Sequence, residues 1–133
     1  MKAIFIGSNP SNAALSFQPF CLSTKSGKTM VEWVVRAELI DYYFMNIVDL
    51  PTPKNRPLTK KEILACKSLL EIKIKRHGPA KIVAVGKAAA NALTLLRIPF
   101  FEMPHPSGLN RKLNDPQFLE EKIKGLKNYL EAN

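Results

Sequence analysis

Cysteine is nearly missing from this chain, which has Cys21 and Cys66 and no third in 133 residues. Two thiols build neither a disulfide framework nor a complete four-ligand metal site. A reducing compartment is therefore expected, intracellular and either cytoplasmic or nucleoid-associated. Acidic residues are also scarce, eleven against twenty Lys and Arg, which leaves a formal net charge of +9. That surplus favours a polyanionic partner, nucleic acid first and an anionic membrane surface second. Long apolar runs are absent: nothing approaches the roughly 18 residues of a membrane span. The stretch Lys2 to Gly7 is likewise too short for the apolar part of a secretion signal. Repeats, low-complexity tracts and linkers are absent too, so one domain over 1–133, acting as a monomer away from membranes, is expected.

What is present is an alternation of strand-like and helix-like segments. Ala3 to Ile6 is a continuous apolar run, the pattern of a strand covered on both faces of a parallel sheet. Gly7-Ser8-Asn9-Pro10-Ser11 follows at its carboxyl end, where open parallel sheets bind ligands, so Asn9 and the backbone amides near Ser11 are candidates. Phe17 to Phe20 reads as a loop whose aromatics either pack the core or offer a flat face to a planar ligand. Leu22 to Thr29 imitates the tail of a phosphate-binding loop, but it lacks the first glycine and a preceding strand, so nucleoside triphosphate binding is set aside. Thr29 with Glu32 instead predicts a capping box, with Met30, Val31, Trp33, Val34, Val35 and Leu39 as the helix's core face.

Tyr42 to Val48 is aromatic and β-branched, a second strand. Asn46 inside it is conspicuous, because a buried amide is costly unless its donors and acceptors are satisfied. It either bridges to a neighbouring loop or reads the edge of a base. After the proline-stiffened loop Asp49 to Arg56, Thr59 and Glu62 form a second capping box. They open a helix to about Arg76 with Ile63, Leu64, Leu69, Leu70, Ile72 and Ile74 as apolar residues, and His77 sits at its end. Lys81 to Gly86 is the clearest strand, Ala88 to Leu96 a helix of small residues, and Ile98 to Met103 a fourth strand. Asp115-Pro116 caps a last helix running to about Leu130. The expected class is α/β, a three-layer α/β/α sandwich around a central four-stranded parallel sheet with right-handed crossovers.

The stretch Met103 to Arg111 reads Met-Pro-His-Pro-Ser-Gly-Leu-Asn-Arg. Pro104 and Pro106 bar helix and central strand on either side of His105, so the imidazole sits on a rigid turn. Gly108 turns the chain tightly and exposes Leu109, with Asn110, Arg111 and Lys112 behind it. Such a loop suits a charged polymer, although a histidine in a surface loop is also commonplace. The distinguishing feature is the company it keeps: Asn9, Asn46 and His105 each fall at or near the carboxyl end of a strand.

In that order these segments resemble the uracil-DNA glycosylase superfamily over nearly the whole chain. Gly7-Ser8-Asn9-Pro10 is similar to the first motif in the form seen in the mismatch-specific and single-strand-selective branches. Asn46-Ile-Val-Asp resembles the strand whose asparagine reads uracil, and His105-Pro-Ser-Gly-Leu-Asn-Arg111 the second motif. Asn55 to Thr59, the helix with Cys66, and Ile82 to Gly86 resemble the thermophilic iron–sulfur branch. The resemblance implies a monofunctional glycosylase of base excision repair that flips uracil out of DNA and hydrolyses its N-glycosidic bond. Asn46 would pair with uracil N3–H and O4, Phe20 (Phe17 in reserve) would stack on the base, and Ser11 stands where a more active branch has a bulky tyrosine. His105 would donate to O2 of the departing base, and Asn9, unable to take a proton, would orient the attacking water. Pro106, Ser107, Gly108, Leu109, Asn110, Arg111 and Lys112 would meet DNA, Leu109 as the apolar wedge. Only Cys66 falls on a cluster-ligand position, so no iron–sulfur cluster, metal or other cofactor is expected. Two alternatives stay open: a catalytically weak or inactive DNA-binding member of the fold, and a glycosylase for another deaminated base such as hypoxanthine or xanthine.

Overall fold

The strands β1 (Lys2–Gly7), β2 (Asp41–Asn46), β3 (Lys81–Val85) and β4 (Phe101–Met103) form a four-stranded sheet in the order β2-β1-β3-β4. Every pairing is parallel. The structure, a computed structural model, describes residues 2–10, 19–20, 22, 24–106 and 111–132. The apolar runs end up central because β1 and β3 are covered on both faces. Along β1 the side chains alternate: Ala3 and Phe5 face one core with Met30, Trp33, Val34, Ile123 and Leu126, while Ile4 and Ile6 face another with Leu70, Ala89 and Leu93. Helices α1 (Lys25–Arg36) and α5 (Pro116–Glu131) thus cover one face, and α2 (Lys60–Ala65), α3 (Lys67–Lys75) and α4 (Lys87–Leu95) the other. This is the expected three-layer arrangement. Strand order reverses between β1 and β3, which makes their carboxyl ends the switch point where such sheets hold ligands.

Several local expectations are corrected. α1 begins at Lys25 and not after Thr29, because Thr24 wins the cap: its Oγ1 accepts from the Gly27 N–H at 3.1 Å. The earlier start adds a turn, and Met30, Trp33, Val34 and Ala37 form the inner stripe at three- and four-residue spacing. Val35 lies off that stripe and is 69% exposed, contrary to its predicted core role. The helix expected from Thr59 to Arg76 breaks at Cys66 (φ −93°, ψ 0°), whose thiol donates to the Ile63 carbonyl at 3.0 Å. Its capping box is present in both directions, Glu62 N–H to Thr59 Oγ1 at 3.1 Å and Thr59 N–H to Glu62 Oε1 at 2.8 Å. Arg56 clamps the same carboxylate at 2.7 Å, and these bonds hold Glu62 down to about 2. Leu70 faces the sheet with Ile63 and Ile74, while Leu64, Leu69 and Ile72 point outward. β4 is shorter than predicted because Pro99 offers no N–H to the ladder, and Ile98 instead donates to the Leu93 carbonyl at the close of α4.

Candidate active site at the carboxyl edge of the sheet

β1 and β2 end in register, Gly7 opposite Asn46. The pairing continues past the strands, with Ile47 N–H on the Gly7 carbonyl at 2.8 Å and Val48 N–H on the Ser8 carbonyl at 3.0 Å. Asn46 is buried, 4% exposed. A Cβ at Gly7 would stand 2.9 Å from Asn46 Oδ1 and 3.0 Å from Phe20 Cζ. The amide and the ring therefore meet over a backbone position that only glycine leaves open. Phe20 reaches there from a left-handed backbone (φ 49°), and its half-buried ring is edge-packed on Phe44 at 5.3 Å. Phe44 in turn packs edge-on against the core ring of Phe5 at 5.9 Å. Phe20 is thereby tied to the core through two aromatic contacts.

Asn9 follows two residues after β1. Its Nδ2 donates to the Leu50 carbonyl at 3.4 Å and its Oδ1 accepts from Ser8 Oγ at 3.1 Å. The side chain so joins the loop after β1 to the loop after β2, and Oδ1 keeps a second lone pair.

On the far side of the switch point, Gly86 follows β3 and caps α4 with φ +90° and ψ 165°, a conformation suited to glycine. Its N–H donates to the Met103 carbonyl at 2.9 Å, which ties the exits of β3 and β4 together. A Cβ here would lie 3.0 Å from His105 Cδ2 and 3.1 Å from His105 Cβ. The histidine thus rests on bare backbone, between half-buried Pro104 and buried Pro106. His105 keeps an exposed edge, but the protein packed around the ring pushes its pKa below the ordinary 6.5. The imidazole is neutral at pH 7, one nitrogen a donor and the other an acceptor.

Of the residues singled out in the sequence, the structure brings Asn46 and Phe20 together over Gly7, sets Asn9 beside them, and holds His105 on Gly86. In lateral order β2, β1, β3, β4 they share one edge three strand spacings wide, about 14 Å. Ser11, Phe17, Cys21, Ser107, Gly108, Leu109, Asn110 and the Arg111 side chain lie outside the described residues. Lys112 is exposed beside the histidine in a short 3-10 turn, Arg111–Asn114. The part played by Gly7 and Gly86 was not anticipated; a glycine directly after each central strand was the signal. A larger groove of about 510 Å³ runs between Arg36 and Lys124, Lys127 and Asn128 on the α1/α5 layer, and shares no residue with this edge. Among the described residues no three His, Cys, Asp or Glu side chains cluster as metal ligands, and no helix is long and apolar enough to cross a membrane. Burial pushes the Cys66 thiol up, away from the thiolate a metal would need.

Chemically, the edge offers a buried bidentate amide, an aromatic ring, a neutral imidazole and an amide able to hold water. No curated protein matches the chain. A family model described as the uracil DNA glycosylase superfamily matches residues 1–127.

Proposed function

The chain belongs to the uracil DNA glycosylase superfamily, with a DNA glycosylase-type function, and from that premise we propose that it excises uracil from DNA as a monofunctional, cofactor-independent hydrolase. The base is everted from the stack, at a cost of a few kcal/mol, onto the edge of the sheet where Asn46 and Phe20 meet. Asn46 Oδ1 accepts from uracil N3–H and its Nδ2 donates to O4, a pattern that cytosine inverts. Phe20 stacks on the pyrimidine. His105, neutral, donates to O2 as negative charge gathers on the departing base, a stabilisation of the oxyanion type. Asn9 Oδ1 orients the attacking water while its Nδ2 stays on the Leu50 carbonyl. An amide takes up no proton, so positioning and charge stabilisation carry the reaction. Leu109 fills the gap in the duplex, and Arg111, Lys112 and the amides near Ser11 and Ser107 hold phosphates. The proposal includes a monomer in a reducing cell interior.

The observation that carries this reading is the meeting of Asn46 Oδ1 and the Phe20 ring over Gly7. Its test is alkali cleavage of labelled oligonucleotides bearing single-stranded U, U·G, U·A, T·G or hypoxanthine. Product from a uracil strand, lost in His105→Ala and reduced in Asn46→Ala, is expected. Product from hypoxanthine alone would reassign the base. A second reading, a DNA-binding member that does not cut, is favoured by the engagement of Asn9 with Leu50, and predicts salt-sensitive binding with no product.

A further inference from the structure

Beside His105, on the β4 side of the edge, lies a cleft of about 420 Å³. Its walls carry Lys87, Lys112 and Lys122 against one carboxylate, Glu102, with Phe118 and Pro104 completing them. The three lysines come from three elements: Lys87 is the first residue of α4, Lys112 lies in the turn after the histidine loop, and Lys122 is in the first half of α5. The ion pairs among the described residues are Arg56–Glu62, Lys67–Glu71, Lys73–Asp49 and Lys127–Glu38, and neither Lys87 nor Lys122 joins them. Lys122 holds its ammonium 5.9 Å over the ring of Phe101 in β4. A concave site with three ammonium groups and one carboxylate attracts an anion, and ammonium groups meet phosphate as point charges.

We propose that this cleft is a phosphate-binding subsite that grips the DNA strand to one side of the everted nucleotide, through an internal phosphodiester. Lys87 and Lys122 are its neutralising groups, and Glu102 keeps the grip weak enough for release. The inference rests on the reading of this edge as a DNA-strand site, and not on which base is excised. From the exit of β1 to β4 is two strand spacings, about 10 Å, which is a reach of about three nucleotides at a rise of 3.4 Å per nucleotide. A phosphate at that reach is within the span of the strand that carries the target base.

The test is the salt dependence of binding by the full chain, read by fluorescence anisotropy with a short uracil-bearing single strand. Lys87→Gln and Lys122→Gln should each lower the slope of log K against log salt by about 0.7. Lys75→Gln, an equal charge loss at the end of α3, should leave the slope unchanged. Glu102→Gln should tighten binding several-fold at low salt. Equal slopes for all three lysine variants would show a diffuse charge effect and overturn the subsite. A scan of single neutral methylphosphonate linkages identifies the source of the phosphate. One internal linkage should weaken wild-type binding and lose its effect in the Lys87→Gln, Lys122→Gln double variant. Loss that follows only removal of a terminal phosphate would overturn the internal diester. These readouts measure binding, so a chain that fails to excise uracil but shows the slopes refutes only the excision reading. A chain that excises uracil with unchanged slopes refutes only the subsite.

Discussion

The two halves of the sheet's carboxyl edge solve different problems with different materials. On the β1–β2 side stand Gly7, Asn46 and Phe20, which carry no charge, and the amide is buried against a backbone with no side chain. On the β3–β4 side a neutral imidazole rests on Gly86 among exposed or half-buried lysines. Reading the pattern of one base needs donors and acceptors fixed away from water, where an unmatched partner is expensive. Holding a polyanion needs mobile, solvated cations that release counterions. A glycine anchors each half, so both depend on a missing Cβ. The halves should therefore fail in different ways when they are altered.

The largest effect is expected at the imidazole. His105→Ala should lower kcat for a uracil strand about 10²–10³-fold, in the range of a lost oxyanion donor, with little change in oligonucleotide affinity. Single-turnover kinetics at saturating enzyme separate the two; an unchanged rate would remove His105 from the chemistry. Gly86→Ala comes next. It forces an L side chain into φ +90° and against His105, at about 1–3 kcal/mol of stability. Thermal melting with the same rate assay would show both losses, and an unperturbed melt would contradict the backbone conformation.

Gly7→Ala should act on the other half, displacing Asn46 and Phe20 by a few tenths of an ångström and lowering kcat/KM about tenfold for uracil, on the order of 1.4 kcal/mol. Salt-dependent binding should be retained. If binding fell as far as catalysis, the division between the halves would not hold. The smallest effect is that of pH. Burial holds the pKa of His105 below its ordinary 6.5, so the acid limb of kcat/KM should be centred below 6.5. Stability moves the same way: below 6.5 the unfolded chain takes up this proton before the folded one, and stability is lost as pH falls. An acid limb centred above 6.5 would contradict that lowered pKa, and activity that rises below 6.5 would mean that a protonated imidazole is at work.

Much of this was legible in the primary structure. Continuous apolarity in Ala3–Ile6 and Ile82–Val85 marks strands covered on both faces, because no polar face is left for water. Pro104 and Pro106 mark His105 as a turn residue for the same local reason. Competing local signals were not decidable. Thr29 with Glu32 has the spacing of a capping box, yet Thr24 caps α1 five residues earlier by accepting from the Gly27 N–H. Nothing local marks Cys66 as a break, and Leu69 and Ile72 look as apolar as Leu70, although only Leu70 meets the sheet.

Sequence alone determined the class of the fold, the strand ends that carry Asn9, Asn46 and His105, and the excess of positive charge, since each follows from residue type and short-range spacing. Tertiary structure decided which of these groups are neighbours. The order β2-β1-β3-β4 put Asn46 and Phe20 on Gly7, His105 on Gly86, and Lys87 with Lys122 across one cleft. Those groups lie far apart along the chain, and only hydrogen bonding between strands and burial of both sheet faces bring them to one edge.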